Sequence, residues 1–166
     1  MRRLIAPILL MMMFPAVLAG QYTARPFTMF AGLAVATGGY GLGIQLGGSF
    51  TVPISSAVGL RLDGGFQHFR GPSVTDSPER SSIDVLSGTA SIAVFDPSNS
   101  KRRPTWIAGA GLYRLLQRGS VHVRPGLNGR ARIPFSELAS FVVGFHVLLG
   151  RTTTDGFFPI AVEFQL

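Results

Sequence analysis

The chain ends in FFPIAVEFQL, residues 157–166, and this stretch is the strongest guide to the fold. Its side chains alternate with a period of two, at which a β-strand turns successive residues to opposite faces. One face is wholly apolar and carries Phe158, Ile160, Val162, Phe164 and Leu166. The other carries Pro159, Ala161, Glu163 and Gln165. Such a strand predicts a sheet with hydrocarbon on one side and an enclosed, more polar space on the other.

The same alternation recurs upstream in segments near 26–37, 43–54, 57–69, 83–95, 105–116, 121–133 and 140–150. A helical period would mix the apolar and polar sets, so these segments predict strands. The total is eight, which predicts an all-β, antiparallel, up-and-down transmembrane barrel. Such a barrel starts and ends on the periplasmic side, so we expect outer loops at 38–42, 70–82, 117–120 and 151–156. The inner turns are then expected at 55–56, 96–104 and 134–139.

Composition supports a membrane location and leaves room for one domain. Of the 166 residues, 46% are apolar and only 14% are charged, well below the roughly 25% charged residues of soluble domains. The aromatic residues predicted at the inner ends of strands would form one interfacial girdle: Phe27, Phe50, Phe95, Trp106, Phe135, Phe141 and Phe164.

The first 20 residues, MRRLIAPILLMMMFPAVLAG, have the pattern of an export signal. Two arginines precede an apolar run, and small residues lie where signal peptidase cleaves. We predict a signal peptide over 1–19, cleaved after Ala19, and a barrel domain over 20–166. An anchor helix is disfavoured, because the run is only about 16 residues long and contains Pro7 and Pro15.

The net charge of +7 at first suggests nucleic acid as a partner. The basic residues, however, alternate with apolar ones along predicted strands and form no single basic face, which argues against nucleic acid binding. The chain contains no cysteine, which excludes disulfides and cysteine-based metal sites.

Charged side chains fall on the faces predicted to point inward. They form an expected lumenal charge network of Arg61, Asp63, Arg124, Arg130, Arg132, His146 and Glu163. Side chains fill the interior of an eight-stranded barrel, so we expect a filled polar lumen. Its charges must be paired or hydrated, because an isolated ion in a low dielectric is costly. A conducting or anion-binding role for the arginines is the alternative.

Catalysis has one candidate pair, because His146 and Glu163 lie on inward faces of neighbouring strands. A nucleophilic triad would need a serine beside them, and Ser136 and Ser140 lie at the opposite end of strand seven. The three histidines lie on different strands without ligand spacing. We therefore predict no enzyme activity, no catalytic residues, no cofactor and no metal.

Three segments carry a family resemblance: PTWIAGAGLYRL (104–115), VRPGLNGRARIPFSELASFVVGFHVLLGR (123–151) and the closing strand. They resemble the second half of the small bacterial outer-membrane β-barrels related to the outer-membrane protein A transmembrane domain and its X-type relatives. The resemblance implies an eight-stranded barrel in the outer membrane of a Gram-negative bacterium, in contact with outer-membrane lipids and lipopolysaccharide. It also implies a closing strand that the barrel-assembly machinery recognises.

The chain departs from these families at two positions. It ends on Leu166 where the family usually ends on Phe. We expect this difference to affect how efficiently the barrel is assembled and not its fold. Barrels that deacylate lipid A have a serine two residues after a histidine, whereas here Leu148 follows His146 at that spacing. This difference argues against lipid A deacylation.

These observations predict a monomeric integral outer-membrane barrel with a structural or surface-interaction role. An enzyme acting on outer-leaflet lipid and a narrow pore are the alternatives. A soluble lipocalin-like barrel is disfavoured, because such a barrel turns its apolar faces inward.

Overall fold

The computed structural model describes residues 26–38, 40–71, 82–95, 105–117, 119–150 and 154–166. These residues form eight strands: β1 Phe27–Ala36, β2 Gly41–Pro53, β3 Val58–Phe69, β4 Ile83–Val94, β5 Thr105–Gln117, β6 Ser120–Pro134, β7 Ala139–Leu149 and β8 Thr154–Gln165. The predicted signal peptide and its cleavage site lie outside the described residues, as do most of the 70–82 and 96–104 connections.

The strands form a single closed barrel in which each strand pairs antiparallel with the next along the chain. β1 pairs with β8 over nine residue pairs, from Thr28 opposite Gln165 to Ala36 opposite Phe157. This seam leaves neither strand with an unpaired edge. The predicted all-β, eight-stranded, up-and-down architecture is confirmed.

We name the two ends of the barrel by their connections. The turn end is where β1 begins, β8 ends, and the connections 54–57, 95–104 and 135–138 lie. The loop end carries the connections 37–40, 70–82, 118–119 and 150–153.

Most strand bounds agree with the alternation to within one or two residues. β8 is the exception, since it begins at Thr154 inside the expected loop 151–156. The β7–β8 ladder continues to Leu149 opposite Thr154, which draws Asp155 and Gly156 into the sheet.

Local sequence explains the tight connections. In the turn after β2, Ser55 Oγ accepts hydrogen bonds from the backbone N–H groups of Ala57 and Val58. Ser136 plays the same part after β6, accepting from the N–H groups of Leu138 and Ala139. A serine that satisfies turn N–H groups in this way fixes the chain reversal.

The outer surface of the barrel is apolar along most of its height. Large hydrophobic side chains from every strand are exposed on it, among them Leu33, Leu46, Leu62, Ile92, Leu112, Leu127, Val143 and Ile160. An exposed apolar surface of this extent requires hydrocarbon as its solvent. None of the described residues forms a helix long and apolar enough to cross a membrane.

Aromatic side chains ring the outside of the turn end, as the sequence predicts. Phe27, Trp106, Phe135, Phe141 and Phe164 are all exposed there. Phe27 packs on Phe50, with ring centroids 4.8 Å apart. Phe95 differs, because it lines a cavity inside the barrel at this end and contacts Gly59. It shares the face of Ser91 and Ala93 and is therefore not part of the girdle.

Candidate functional site: the lumen and its charge network

Arg61, on β3, is the centre of an ion-pair network buried in the lumen. Its Nε donates to Asp63 Oδ1 at 2.8 Å, on the same face of the same strand. Its two terminal nitrogens donate to the two carboxylate oxygens of Glu163 on β8, at 2.5 and 3.3 Å. A bidentate arginine–carboxylate pair is both strong and geometrically specific. Because β3 and β8 are not adjacent, this pair bridges the lumen.

Two arginines of β6 join the same carboxylates. Arg130 donates from Nη1 to Asp63 Oδ1 at 3.2 Å, and its guanidinium carbon lies 5.8 Å from the ring centre of Phe30. Arg132 Nε lies 2.8 Å from Glu163 Oε1, but its N–H is not directed at that oxygen and has no hydrogen-bond partner. We call Arg61, Asp63, Arg130, Arg132 and Glu163 the lumenal network. Three guanidinium groups and two carboxylates leave it one positive charge in excess.

Small residues on neighbouring strands make room for these long side chains. A Cβ atom added to Gly144 of β7 would lie 2.7 Å from Arg130 Cγ, closer than real Cβ contacts allow. Thr28 of β1 and Ser49 of β2 are buried at the level of Asp63 and share a hydrogen bond between their hydroxyls. The lumen is therefore filled by side chains, as expected for eight strands.

Two hydrogen-bonded groups of side chains adjoin the network, and Thr89 in one of them donates to Asp63 Oδ2 at 3.4 Å. Tyr113 Oη and His146 Nδ1 share a hydrogen bond of 2.7 Å. The His146 ring stacks on Phe157, with centroids 4.4 Å apart and planes 10° from parallel. Asn128 donates from Nδ2 to the hydroxyls of Ser91 and Thr89 at 3.2 and 3.4 Å.

An apolar cluster lies in the loop half of the lumen. Its buried members are Ala34, Phe69, Ile83, Val85, Tyr113, Leu115, Leu148 and Phe157. Gln45 and Gln67 are also buried in this half, so the lumen is polar around the ion-pair network and mixed polar and apolar towards the loop end. Ile83 and Val85 share the inward face with Ser87 and Thr89, so one strand contributes to both halves.

Polar side chains surround the mouth of the loop end. Arg124 pairs with Asp155 at 2.5 Å, and Gln117 donates to Tyr40 Oη at 2.8 Å. Together with the apolar cluster they line a cavity of about 100 Å³.

A larger cavity, about 280 Å³, lies at the turn end. Arg61, Arg132 and Glu163 line it on one side, and Phe95 and Ile107 contribute apolar wall.

The structure brings five of the seven sequence-predicted site residues together as the lumenal network. Arg124 lies apart from them at the loop-end mouth, partly exposed and paired with Asp155. His146 is buried in the lumen, where it shares a hydrogen bond with Tyr113; the ion pairs of the lumenal network join only its arginines and carboxylates.

Sequence reasoning missed the inward positions of Tyr113, Phe157 and Phe95. Each follows from strand parity once the exposed neighbours are fixed, since Trp106 and Leu112 point outward and Tyr113 must then point inward.

The proposed acid/base pair has little space for chemistry. His146 and Glu163 both line an internal void of only about 10 Å³, room for at most about one water molecule. Both oxygens of Glu163 accept from Arg61. In the described part of the chain, no three His, Cys, Asp or Glu side chains are grouped to hold a metal ion.

Comparison with solved structures places this architecture among membrane barrels. Neisserial surface protein A, NspA, matches over 84% of this chain and 96% of its own, with 18% identity and a TM-score of 0.54. The Yersinia pestis outer-membrane protein Ail in a phospholipid bilayer nanodisc matches over 84% and 98%, with 9% identity and a TM-score of 0.59. A de novo designed transmembrane β-barrel matches over 87% and 98%, with 10% identity and a TM-score of 0.55.

No family model matches the chain, and no curated protein matches its sequence. At these identities the structural matches establish the fold. That fold, together with the apolar outer surface, makes the protein an integral β-barrel membrane protein of the bacterial outer-membrane type.

Proposed function

We propose that the protein is a monomeric outer-membrane barrel with a closed lumen, which acts as a structural or surface-interaction protein and not as a pore or an enzyme. The observation that carries this proposal is the bidentate pair between Arg61 and Glu163 across the lumen. Arg130 and Arg132 pair with the same carboxylates at that level, and the apolar cluster lies across the loop half. The lumenal network and the apolar cluster therefore obstruct the lumen at two successive levels and oppose the passage of ions.

The outward surface is what remains for contact with partners. We propose that its apolar belt contacts membrane lipid, and that the loop end meets lipopolysaccharide headgroups and the cell exterior. This orientation follows the general rule that such barrels keep both termini in the periplasm. We also propose that the barrel-assembly machinery recognises β8. Leu166, the residue after β8, extends its pairing with β1 through a hydrogen bond from Leu166 N to Phe27 O at 3.0 Å.

Planar-bilayer recording tests the closed lumen. The folded protein is inserted from detergent, and its folded state is verified by heat-modifiable migration on a denaturing gel. We expect no stepwise single-channel currents. Reproducible unitary currents from folded protein would overturn the proposal in favour of a pore.

Lipid analysis tests the absence of catalysis. Outer-membrane lipid is extracted from cells that express the protein, its His146→Ala variant or neither, and the three extracts are compared by mass spectrometry. We expect identical spectra. A change of lipid mass that requires His146 would establish the enzymatic alternative.

A further inference from the structure

We propose that the turn-end cavity binds a small organic monocarboxylate, with Arg132 as its principal charge partner. This cavity lies on the turn side of the lumenal network, so a bound anion would not cross the barrel. The inference therefore stands whether or not the outward surface has the role proposed above.

The lumenal network carries one more positive charge than negative charge. Three arginines share two carboxylates; Arg61, Asp63, Arg130 and Glu163 are buried, and the Arg132 side chain is 15% exposed where it lines the cavity. An uncompensated charge that is largely removed from water is costly. One monoanion would bring the network to neutrality.

Arg132 is less fully hydrogen-bonded than Arg61. Arg61 is fully engaged, since Asp63 and Glu163 accept from all three of its nitrogens. Arg132 has a weaker set of contacts. Its Nε lies 2.8 Å from Glu163 Oε1 without a well-directed hydrogen bond, and its Nη2 meets the amide oxygen of Gln165 when that amide is turned to satisfy both its groups. Arg132 also lines the cavity, where its guanidinium can donate a charge-assisted hydrogen bond to a carboxylate.

The wall of the cavity combines hydroxyl groups with apolar side chains. Thr51, Ser56 and Thr105 supply hydroxyl groups that can donate to an anion. Phe95 and Ile107 supply apolar surface. The volume of about 280 Å³ is close to the lower limit of small-molecule sites. A carboxylate on a compact apolar body fits these features better than inorganic ions do.

Three probes separate the contributions of charge and apolar surface. Benzoate carries both features, benzamide has the same shape without the charge, and acetate has the charge with almost no apolar body. Binding is measured by isothermal titration calorimetry on the folded protein in zwitterionic detergent, with protein-free micelles as the blank. We expect benzoate to bind more tightly than acetate and benzamide not to bind measurably. Equal binding of benzoate and benzamide, or no binding of benzoate, would overturn the proposal.

Matched variants locate the site. Arg132→Gln removes the excess charge and should fold, and we expect it to weaken benzoate binding at least about tenfold, the loss of one charge-assisted hydrogen bond. Arg124→Gln makes the same change at the loop end and should leave benzoate binding unaltered. Phe95→Ala should weaken benzoate but not acetate. Equal losses in the two arginine variants would refute the assignment, and if Arg132→Gln fails to fold, the Phe95→Ala comparison decides.

Discussion

Replacing Glu163 with glutamine should show how far the lumenal network stabilises the barrel. Glu163 is fully buried, at 0% exposure, and accepts two hydrogen bonds from Arg61. The substitution keeps the side-chain volume but raises the net charge of the network from one positive charge to two. Removing one partner of a buried ion pair costs about 3–5 kcal/mol, and we expect a loss of this size in the free energy of unfolding.

The loop-end pair provides a control with the same chemical change. Asp155→Asn removes a carboxylate from Arg124, but these side chains are 41% and 28% exposed. A pair that remains in contact with water contributes about 1 kcal/mol or less. The double variant Arg132→Gln with Glu163→Gln restores the original net charge, so we expect it to be more stable than Glu163→Gln alone.

Urea titration of the folded protein in lipid vesicles measures these differences. The single tryptophan, Trp106, lies on the outer surface and reports unfolding by its fluorescence. The fraction of heat-modifiable protein on a gel gives an independent measure, and linear extrapolation gives the free energy. If Glu163→Gln and Asp155→Asn shift the unfolding free energy equally, the reasoning about the buried network is refuted.

Three further predictions concern the two faces of the barrel wall and its orientation. Val143→Arg places a charge on the lipid face, which should cost roughly 2–4 kcal/mol and reduce the folded fraction on a gel, and normal assembly would contradict the assigned faces. Gly126→Ala puts a Cβ 2.7 Å from a lumenal tyrosine ring and should cost about 1–3 kcal/mol in urea titration, whereas Gly64→Ala meets no atom within 4 Å and should cost less. Because the chain lacks cysteine, Ser120→Cys should react with an impermeant thiol reagent on intact cells and Ser56→Cys should not; the reverse pattern would invert the orientation.

The strands and their faces were predictable because period-two alternation is a local property of the chain. In β8, Glu163 lies inward and Phe164 outward, as the final ten residues indicate. The pairing of Arg61 with Asp63 was also within reach, since residues two apart share a face.

The contact between Arg61 and Glu163 was not predictable, because the two residues are 102 positions apart. It depends on the stagger of the strands and on which side chains reach across the lumen, and neither is encoded in the alternation. The apolar cluster of the loop half was missed for another reason. Ile83 and Val85 face inward while Asp84, between them, faces outward, so the alternation of polar and apolar residues is reversed there.

The seam between β1 and β8 joins the first and the last of the eight strands, so the cylinder cannot close until β8 has been synthesised. A product that lacks β8 would remain an open sheet, with unpaired backbone N–H and C=O groups on its two edge strands. The same seam brings the start of β1 and the end of β8 together at the turn end. The linear order of the strands is therefore one of several that could generate this cylinder, and a circularly permuted gene opened at the 54–57 connection, with a linker from the end of β8 to the start of β1, should encode the same wall.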